Sequence, residues 1–442
     1  MVEKIERNEL FKKLITLIPF LSAILCFIVQ GWIGLLFVFI ATFIIMLSYY
    51  SYHYICINRW KYNAQEFFSI TATSHYLDWQ QKLLQLIYSD LEIVSILGKK
   101  YPAAILRAET DINYPFTGLC NLHSLDIPSF ELDKKQNQFV KILGKSLKAP
   151  KMKGFALSKI HLNAENKTKS FDAITITQIQ NIATCHILEW ELFQYYKLLN
   201  NKEFDSINEV LKTLKYRSYY HNNRNGLSAI VGPHKAFPLI SVQALVIFKD
   251  SRGMGPNVWR VVIAKRSKDV LVKPGFFQFI PAGGFEVFGN QDDDVDYLVK
   301  KGFNIGDAVL REYAEEIFNI EEFQENFDGR DPYSIRSHPI TSRLIEAIKK
   351  KTAWFEFIGT IFDLTVLRPE LSFLIIIEDD FFCKSELLSN WESKNIMSPK
   401  VDEIKSIFSN NIVHGSSAGI LQLSTENKKI QKLGILSSLE KS

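Results

Sequence analysis

The sequence predicts an α/β protein. Its C-terminal half is expected to be an α/β/α sandwich with a mixed sheet, preceded by an α+β region and an N-terminal two-helix transmembrane hairpin. Three features indicate this: a stretch from Leu14 to Asn58 without a charged residue, β-branched apolar runs after residue 236, and an acidic helical hexapeptide behind a glycine-rich segment. At 442 residues the chain is expected to hold more than one folded unit.

The uncharged stretch is long enough for two membrane-spanning helices, because one span needs about 20 apolar residues. The tetrapeptide Val29-Gln30-Gly31-Trp32 interrupts the stretch near its middle. We therefore expect helices near 14–30 and 32–54, joined there into a hairpin over residues 14–58. A signal peptide fits less well, since the stretch is too long and lacks a small-residue cleavage site before a polar segment.

Basic residues flank both ends of this hairpin and are missing from its turn: Lys4, Arg7, Lys12, Lys13, Arg59 and Lys61. Because cytoplasmic flanks carry the excess of Lys and Arg, both termini and the soluble body are expected on the cytoplasmic side of the inner membrane. Residues 1–13 then form a basic cytoplasmic N-terminus, and the lipid bilayer is the expected partner. Five cysteines without a C-x-x-C spacing favour a reducing compartment.

Residues 59–235 predict a helical stalk followed by an α+β region whose role the sequence does not reveal. Apolar residues recur at helical spacing through 62–98, and 184–199 has the pattern of a helix. Alternating runs at 155–162 and 171–177 predict a hairpin. The region is either a separate domain or an N-terminal elaboration of the unit that follows.

Charge sets limits on the partners of the chain. A net charge of +4 with 23% charged residues is no nucleic-acid signature, and no duplex nucleic acid is expected to bind. The lysine-rich segment 141–153 predicts a solvated loop, with anionic headgroups or a phosphate-rich ligand as the alternative contact. Residues 223–226 (Asn-Arg-Asn-Gly) predict the turn that leads into the C-terminal unit, residues 236–442.

The strands of the C-terminal unit are predicted from runs rich in β-branched and aromatic residues at 241–249, 258–266, 276–280, 354–366 and 371–377. The first two runs are separated by a Gly/Pro turn and predict a hairpin. The third enters Pro281-Ala282-Gly283-Gly284-Phe285-Glu286, which predicts a glycine-rich turn.

The hexapeptide 311–316 reads Arg-Glu-Tyr-Ala-Glu-Glu and predicts a carboxylate cluster. Glu312, Glu315 and Glu316 stand at i, i+3 and i+4, so a helix places all three on one face. Like charges at this spacing repel each other, and the cluster is explained if Mg²⁺ or Mn²⁺ binds there, because these hard cations prefer oxygen ligands. The alternative is an ordinary glutamate-rich surface helix.

A strand, a glycine-rich turn and a helix with REYAEE resemble the Nudix hydrolase box, whose helix reads R-E-U-x-E-E. The resemblance is local. Asn290 stands where the family has a glutamate, and Arg311 lies thirteen residues beyond the family's position, 298, with an acidic stretch at 291–296 in between. Asn319 follows the helix near the family's glycine, and asparagine accepts the left-handed conformation that ends many helices.

The resemblance implies a Nudix sandwich with Mg²⁺ or Mn²⁺ as cofactor. It implies that Glu312, Glu315 and Glu316 are metal ligands and that Arg311 orients them. The carbonyls of Gly283 and Gly284 are expected to complete the coordination, because glycine lets the backbone approach an ion closely.

The resemblance also implies a nucleoside diphosphate-linked or signalling nucleotide as ligand and leaves Mg²⁺-dependent hydrolysis by a Nudix-type pyrophosphohydrolase open. The general base is expected among acidic residues directly after the last predicted strand: Glu378, Asp379 and Asp380.

A membrane hairpin joined to such a domain is similar in layout to the SMODS-associated NUDIX proteins of bacterial anti-phage signalling. That resemblance implies an alternative function, a nucleotide sensor with weak catalysis that acts as a membrane effector in a cyclic-oligonucleotide defence system. Ligand binding would then change how copies of the chain associate as a homo-oligomer. A second alternative is a membrane scaffold without nucleotide chemistry.

Overall fold

The computed structural model of the protein describes these residues: 31–51 except 35, 37 and 38, then 65–109, 112–124, 127–144, 153–199, 206–252, 258–267, 273–287, 295–320, 335–390 and 393–440. The chain divides into two compact units, residues 1–68 and residues 69–442. Each unit is described by itself.

In the described part of the first unit, one helix is long and apolar enough to cross a membrane, α1 (Gly31–Ser51), with a mean hydropathy of 2.4. Its 21 residues extend for about 31 Å, close to the thickness of a bilayer core. The helix agrees with the second predicted span. The first, near 14–30, lies outside the described residues, so the hairpin stays a prediction. A signal sequence has the same length and composition, and membrane anchoring stays a prediction.

The N-terminal part of the second unit forms these elements: α2 (Ser74–Ile87), β1 (Ile93–Ile96), β2 (Lys99–Arg107), β3 (Cys120–Ser124), α3 (Lys134–Gly144), β4 (Lys153–Leu162), β5 (Thr168–Thr177), α4 (Gln178–Asn181), α5 (Ile187–Leu199), α6 (Ile207–Thr213), α7 (Lys215–His221) and α8 (Gly226–Val231). The helix predicted through 62–98 is wrong beyond Ile87, because residues 93–96 pair with β2 as a strand. The predicted hairpin is confirmed as β4 and β5, which are antiparallel.

The C-terminal part forms these elements: β6 (Ser241–Asp250), β7 (Val258–Val261), β8 (Ile263–Arg266), β9 (Phe277–Phe279), β10 (Ala282–Gly284), α9 (Val295–Gly302), α10 (Ile305–Phe318), α11 (Pro339–Lys349), β11 (Ala353–Asp363), β12 (Arg368–Ile377), α12 (Asp380–Cys383), β13 (Ser393–Met397), α13 (Ile404–Asn410), α14 (Gly415–Thr425), α15 (Lys428–Leu433) and α16 (Ser437–Glu440). The predicted strands reappear as β6 to β9, β11 and β12. The predicted hairpin is formed by β6 and β7, and Val262 then diverts the chain into β8 of a second sheet.

The main sheet is mixed, with strands in the order β1-β2-β11-β12-β6-β10 and β7 beside β6. Strands β12 and β6 run parallel, whereas β11 is antiparallel to both β12 and β2. This confirms the mixed α/β class. Because β2 belongs to residues 59–235 and pairs with β11, the sheet favours an elaboration over a separate domain, while the boundary at residue 235 stays a prediction.

Helices cover both faces of this sheet, as side-chain alternation along β6 requires. Val242, Ala244 and Val246 share one core cluster with apolar residues of α10 and α11. Leu245 and Ile247 belong to a second cluster with apolar residues of α14. Helix α10, which carries the acidic hexapeptide, and helix α14 therefore lie on opposite faces of the sheet.

Candidate functional site

The carboxylate cluster lies on helix α10, which confirms the helix predicted for residues 311–316. The side chain of Asn304 caps its start by accepting a hydrogen bond from the Asp307 N–H at 3.1 Å. Asn319 ends the helix with a φ of 52°, in the left-handed conformation expected there. Both ends of the helix are thus set by local sequence.

The glycine-rich segment before this helix is a strand, and the turn predicted there is wrong. Gly283 is paired with Val242 of β6, and Gly284 with Ser241. Apolar residues on both sides of the glycines continue the ladder, since Phe285 N donates to Ile240 O at 2.9 Å and Ala244 N donates to Pro281 O at 2.8 Å. In the described part of the chain, β10 is the last strand in the order of the main sheet.

The ladder separates the two glycine carbonyls that were expected to act together. Successive residues of an antiparallel strand direct their N–H and C=O groups alternately toward and away from the partner strand. Pro281 and Phe285 bond to β6, so Gly283 also faces β6 and the groups of Gly284 face away from it. Consistently, Arg311 Nη2 contacts the Gly284 carbonyl at 3.4 Å. The carbonyl of Gly284 is therefore the one on the side of the carboxylates.

Helix α10 brings Arg311 and Glu316 to this free side of β10. Glu316 Oε2 accepts the Ala282 N–H at 2.5 Å. Arg311 lies 3.4 Å from Glu312 Oε1 and 4.0 Å from Glu315 Oε1. The side chains of Arg311 and Glu312 are nearly buried and that of Glu316 is fully buried, so these contacts form in a poorly hydrated setting where electrostatic interactions are strong.

Gly283 is needed for this arrangement because it leaves space for a carboxylate. A Cβ built on Gly283 would overlap the carboxylate group of Glu312. Only a residue without a side chain lets Glu312 lie against the strand at this point. The glycine therefore admits Glu312 to the backbone, a role distinct from carbonyl coordination.

The residues present fit a hard divalent cation by their chemistry, since three carboxylates of one helix face supply oxygen donors. Their positions do not gather around one point. Within the described residues, no three Asp, Glu, His or Cys side chains are placed to share one ion. The structure thus brings Arg311, Glu312, Glu315 and Glu316 together along β10, and metal ligation by the glutamates stays a prediction.

The acidic residues expected to include a general base follow β12 and lead into α12, whose Phe382 packs against Tyr313 and Phe318 of α10. Ile377 pairs with Phe248, whereas Gly283 pairs with Val242 on the same strand. The end of β12 is therefore about 20 Å from Gly283 along the sheet, because six strand residues separate the two positions on β6. Asp379 instead caps α12 by accepting the Phe381 N–H at 3.1 Å. A hydrogen bond from Ser251 lowers the pKa of Asp380. Asp379 and Asp380 thus have local structural roles, and a general base among these carboxylates stays a prediction.

Sequence reasoning missed Glu286, although it stands in the glycine-rich hexapeptide. Its Oε1 accepts a hydrogen bond from Gln178 Nε2 at 2.6 Å, and the same oxygen would lie 2.7 Å from a Cβ on Gly284. Strand alternation from Gly284 could have placed Glu286 on the same side of the backbone. Nothing in the sequence indicated Gln178, which is 108 positions away.

A second group of buried charges lies near His414, directly before α14. Arg368 is paired with Glu370 at 2.8 Å, and Lys273 with Glu189. Burial lowers the pKa of His414 to about 4. These residues come from separate parts of the chain, and no spacing in the sequence links them.

No protein-family model and no curated protein matches the chain. Among solved structures, it is similar to a Nudix hydrolase from Alicyclobacillus acidocaldarius, at 15% identity and a TM-score of 0.24, covering 44% of this chain and 94% of that one. It is also similar to a MutT/nudix family protein from Enterococcus faecalis, at 13% identity and a TM-score of 0.21, covering 45% of this chain and 57% of that one. At these TM-scores the similarity carries no argument about function.

Proposed function

We propose that the second unit binds a nucleoside diphosphate-linked or signalling nucleotide together with Mg²⁺ or Mn²⁺ on a Nudix-type scaffold. The observation that carries this proposal is the placement of Arg311 and Glu316 on the free side of a glycine strand, with Glu312 and Glu315 beside Arg311. Glu312, Glu315 and Glu316 are the metal-ligand candidates, and the Gly284 carbonyl is the backbone donor nearest to them.

In this proposal the residues around the glutamates have separate roles. Arg311 restrains Glu312 and contacts the Gly284 carbonyl, and the Ala282 N–H fixes Glu316. When bound, the cation would neutralise the charge of a diphosphate and activate a water for attack at phosphorus. Carboxylates on one helix face repel each other, and a divalent cation reduces that repulsion.

Hydrolysis by a Nudix-type pyrophosphohydrolase is one form of this proposal, and a nucleotide sensor is the second candidate. The sensor is supported by the positions of the described acidic side chains, no three of which are placed to share one ion, because catalysis depends on groups preorganised around the reacting atoms. In this form the protein is a membrane effector of a cyclic-oligonucleotide anti-phage system, as its layout resembles SMODS-associated NUDIX proteins. Binding would change the association of copies in a homo-oligomer, and a scaffold without nucleotide chemistry is the remaining alternative.

The test uses full-length protein purified in detergent, with Mg²⁺ and a panel of nucleoside diphosphate derivatives and cyclic oligonucleotides. Glu316→Gln removes a charge but keeps the shape, and Glu346→Gln on the exposed face of α11 is the matched control. Turnover that is lost only in Glu316→Gln supports the enzyme. Tight binding without turnover in the wild type supports the sensor. Calorimetry that detects neither nucleotide nor metal binding would rule out both.

We also propose that α1 and the span predicted near 14–30 form a hairpin that holds the chain in the cytoplasmic membrane, with both termini and the second unit in the cytoplasm. The support is the length and apolar composition of Gly31–Ser51 together with the basic flanks. In spheroplasts, protease added outside should leave tags at either terminus intact. Loss of one tag before lysis would contradict this topology.

A further inference from the structure

Strand β4, from the region whose role the sequence leaves open, holds the chain segment directly after the glycine strand. Phe155 N donates to Phe285 O at 3.0 Å, and Val287 N donates to Lys153 O at 3.0 Å. Gly154 and Glu286 form the bridge between these bonds. The segment that leaves β10 is therefore fixed by backbone hydrogen bonds to the N-terminal part of the unit.

A side-chain contact from the same region reaches the candidate site itself. Gln178, the first residue of α4, donates from Nε2 to Glu286 Oε1 at 2.6 Å. The Glu286 carboxylate lies against the backbone of Gly284, whose carbonyl is in contact with Arg311. Arg311 in turn lies beside Glu312. Three successive contacts thus connect Gln178 to Arg311, and a fourth connects Arg311 to the carboxylate of Glu312.

The same helical segment, residues 178–199, also contacts the chain at Lys273, which precedes β9 in the sequence. Glu189 pairs with Lys273, and both side chains are mostly buried. Between Gln178 and Glu189 the helix contains a buried π-helical turn, Ile182–His186. Such turns are rare and often occur at functional sites. The segment from Lys273 to Glu286, which includes Gly283 and Gly284, thus contacts residues 178–199 at both of its ends.

We infer that Gln178 and Glu286 are positioning residues that set the place of Gly284 and Arg311, and through them the geometry of the carboxylates. The N-terminal part of the second unit then contributes to the geometry of the site. Loss of a group that hydrogen-bonds to metal ligands and orients them typically lowers metal affinity by 10- to 100-fold. The metal readout of this inference rests on the proposed function, whereas its structural readout does not.

Packing alone is the competing explanation for the contact between β4 and the segment after β10. Phe155 lies 4.5 Å from Phe285 and 4.9 Å from Phe303, measured between ring centroids. If these rings alone hold the segment, loss of the Gln178 hydrogen bond leaves the carboxylate helix unaffected. The two explanations therefore differ in what happens to α10.

The test substitutes Gln178→Glu in full-length protein in detergent, which puts a like charge beside Glu286. Mn²⁺ affinity measured by electron paramagnetic resonance should fall about tenfold or more. Amide hydrogen exchange in residues 305–318, measured without metal, should become faster. The matched control is Gln194→Glu on the exposed face of α5. The double variant Gln178→Glu/Glu286→Gln exchanges donor and acceptor and should restore both readouts.

Unchanged exchange in residues 305–318 of Gln178→Glu overturns the inference, whether or not the protein binds Mn²⁺. An equal effect of Gln194→Glu, or a double variant no better than the single one, also overturns it. If the wild type binds no Mn²⁺ but exchange changes and is restored as expected, the positioning role stands and the proposed metal site fails. The two proposals can therefore fail separately.

Discussion

The carboxylate of Glu312 occupies the space that a side chain on Gly283 would need. A Cβ built on Gly283 overlaps the carboxyl carbon and both oxygens of Glu312. Helix α10 and strand β10 can approach each other this closely only because residue 283 has no side chain. The strand and the helix of the candidate site are thus matched to each other at one position.

Gly283→Ala should therefore displace Glu312 and destabilise the protein by about 1–3 kcal/mol, the usual cost of overpacking a close contact. It should also weaken Mn²⁺ binding, because Glu312 no longer lies beside Arg311. Urea unfolding measures the first effect and electron paramagnetic resonance the second. The added cost should shrink in a Glu312→Ala background, since the clashing carboxylate is then missing.

Gly232→Ala is the control for this substitution, because a Cβ there meets no atom closer than 3.8 Å. It should leave Mn²⁺ binding unchanged. Full Mn²⁺ affinity in Gly283→Ala would show that Glu312 is not needed for the metal.

Arg217 is expected to be among the residues that contribute most to stability. It is fully buried and donates to the Tyr88 hydroxyl at 2.7 Å and to the carbonyls of Leu364 and Thr365 at 2.9 Å each. Arg217→Ala leaves these acceptors buried without the donor and creates a cavity, so a loss of about 3–5 kcal/mol in the free energy of unfolding is expected. Urea titration followed by circular dichroism measures it.

Arg343→Ala, on the exposed side of α11, should change the free energy of unfolding by less than about 0.5 kcal/mol. A similar small effect of Arg217→Ala would mean that water replaces the guanidinium without cost. That result would contradict the structural role of the buried network.

Periodicity was sufficient to predict the elements that depend on local sequence. The helix around Arg311, its end at Asn319 and the strands β6, β11 and β12 follow from apolar spacing and from asparagine's tolerance of the left-handed conformation. The glycine strand could not be predicted, because Gly283 and Gly284 have low strand propensity and form β10 only through pairing with β6. Tertiary pairing outweighed local preference there.

The site could be predicted only in part for a related reason. The spacing of three glutamates on one helix is a local property, and the structure places them on one face. The contact between Gln178 and Glu286 joins positions 108 residues apart, and a single sequence contains no signal for such a pair. A general base among Glu378, Asp379 and Asp380 stays a prediction for the same reason, since tertiary packing sets how the segment after β12 lies against α10.

Stability should decrease as the pH falls from about 6.5 toward 4. Burial lowers the pKa of His414 to about 4 and that of His186 to about 3, from the usual 6.5. The unfolded chain therefore binds protons in this range that the folded protein does not, so the stabilisation is complete above pH 6.5 and is lost on acidification. Each histidine contributes up to about 1.4 kcal/mol per pH unit. Urea unfolding at pH 4.5 to 7.5 measures the slope.

His414→Asn should reduce this slope. His414 Nδ1 accepts the Ser416 N–H at the start of α14 at 3.3 Å, and asparagine retains an acceptor for that cap while removing the titrating group. His75→Asn at an exposed position is the control. An unchanged slope in His414→Asn would contradict a contribution from this histidine.

A charge in the middle of α1 should release the protein from membranes if the helix is the anchor. Ile40 lies near the centre of Gly31–Ser51, where an arginine costs about 2.5–3.5 kcal/mol for insertion. Ile40→Arg should shift the protein toward the soluble fraction after alkaline carbonate extraction, whereas Ile40→Leu should remain in the membrane pellet. If a second span also anchors the chain, the shift will be partial, and adding a charge within residues 14–30 should complete it. If alkaline carbonate extracts all of the wild-type protein from the membrane, the helix does not cross the bilayer.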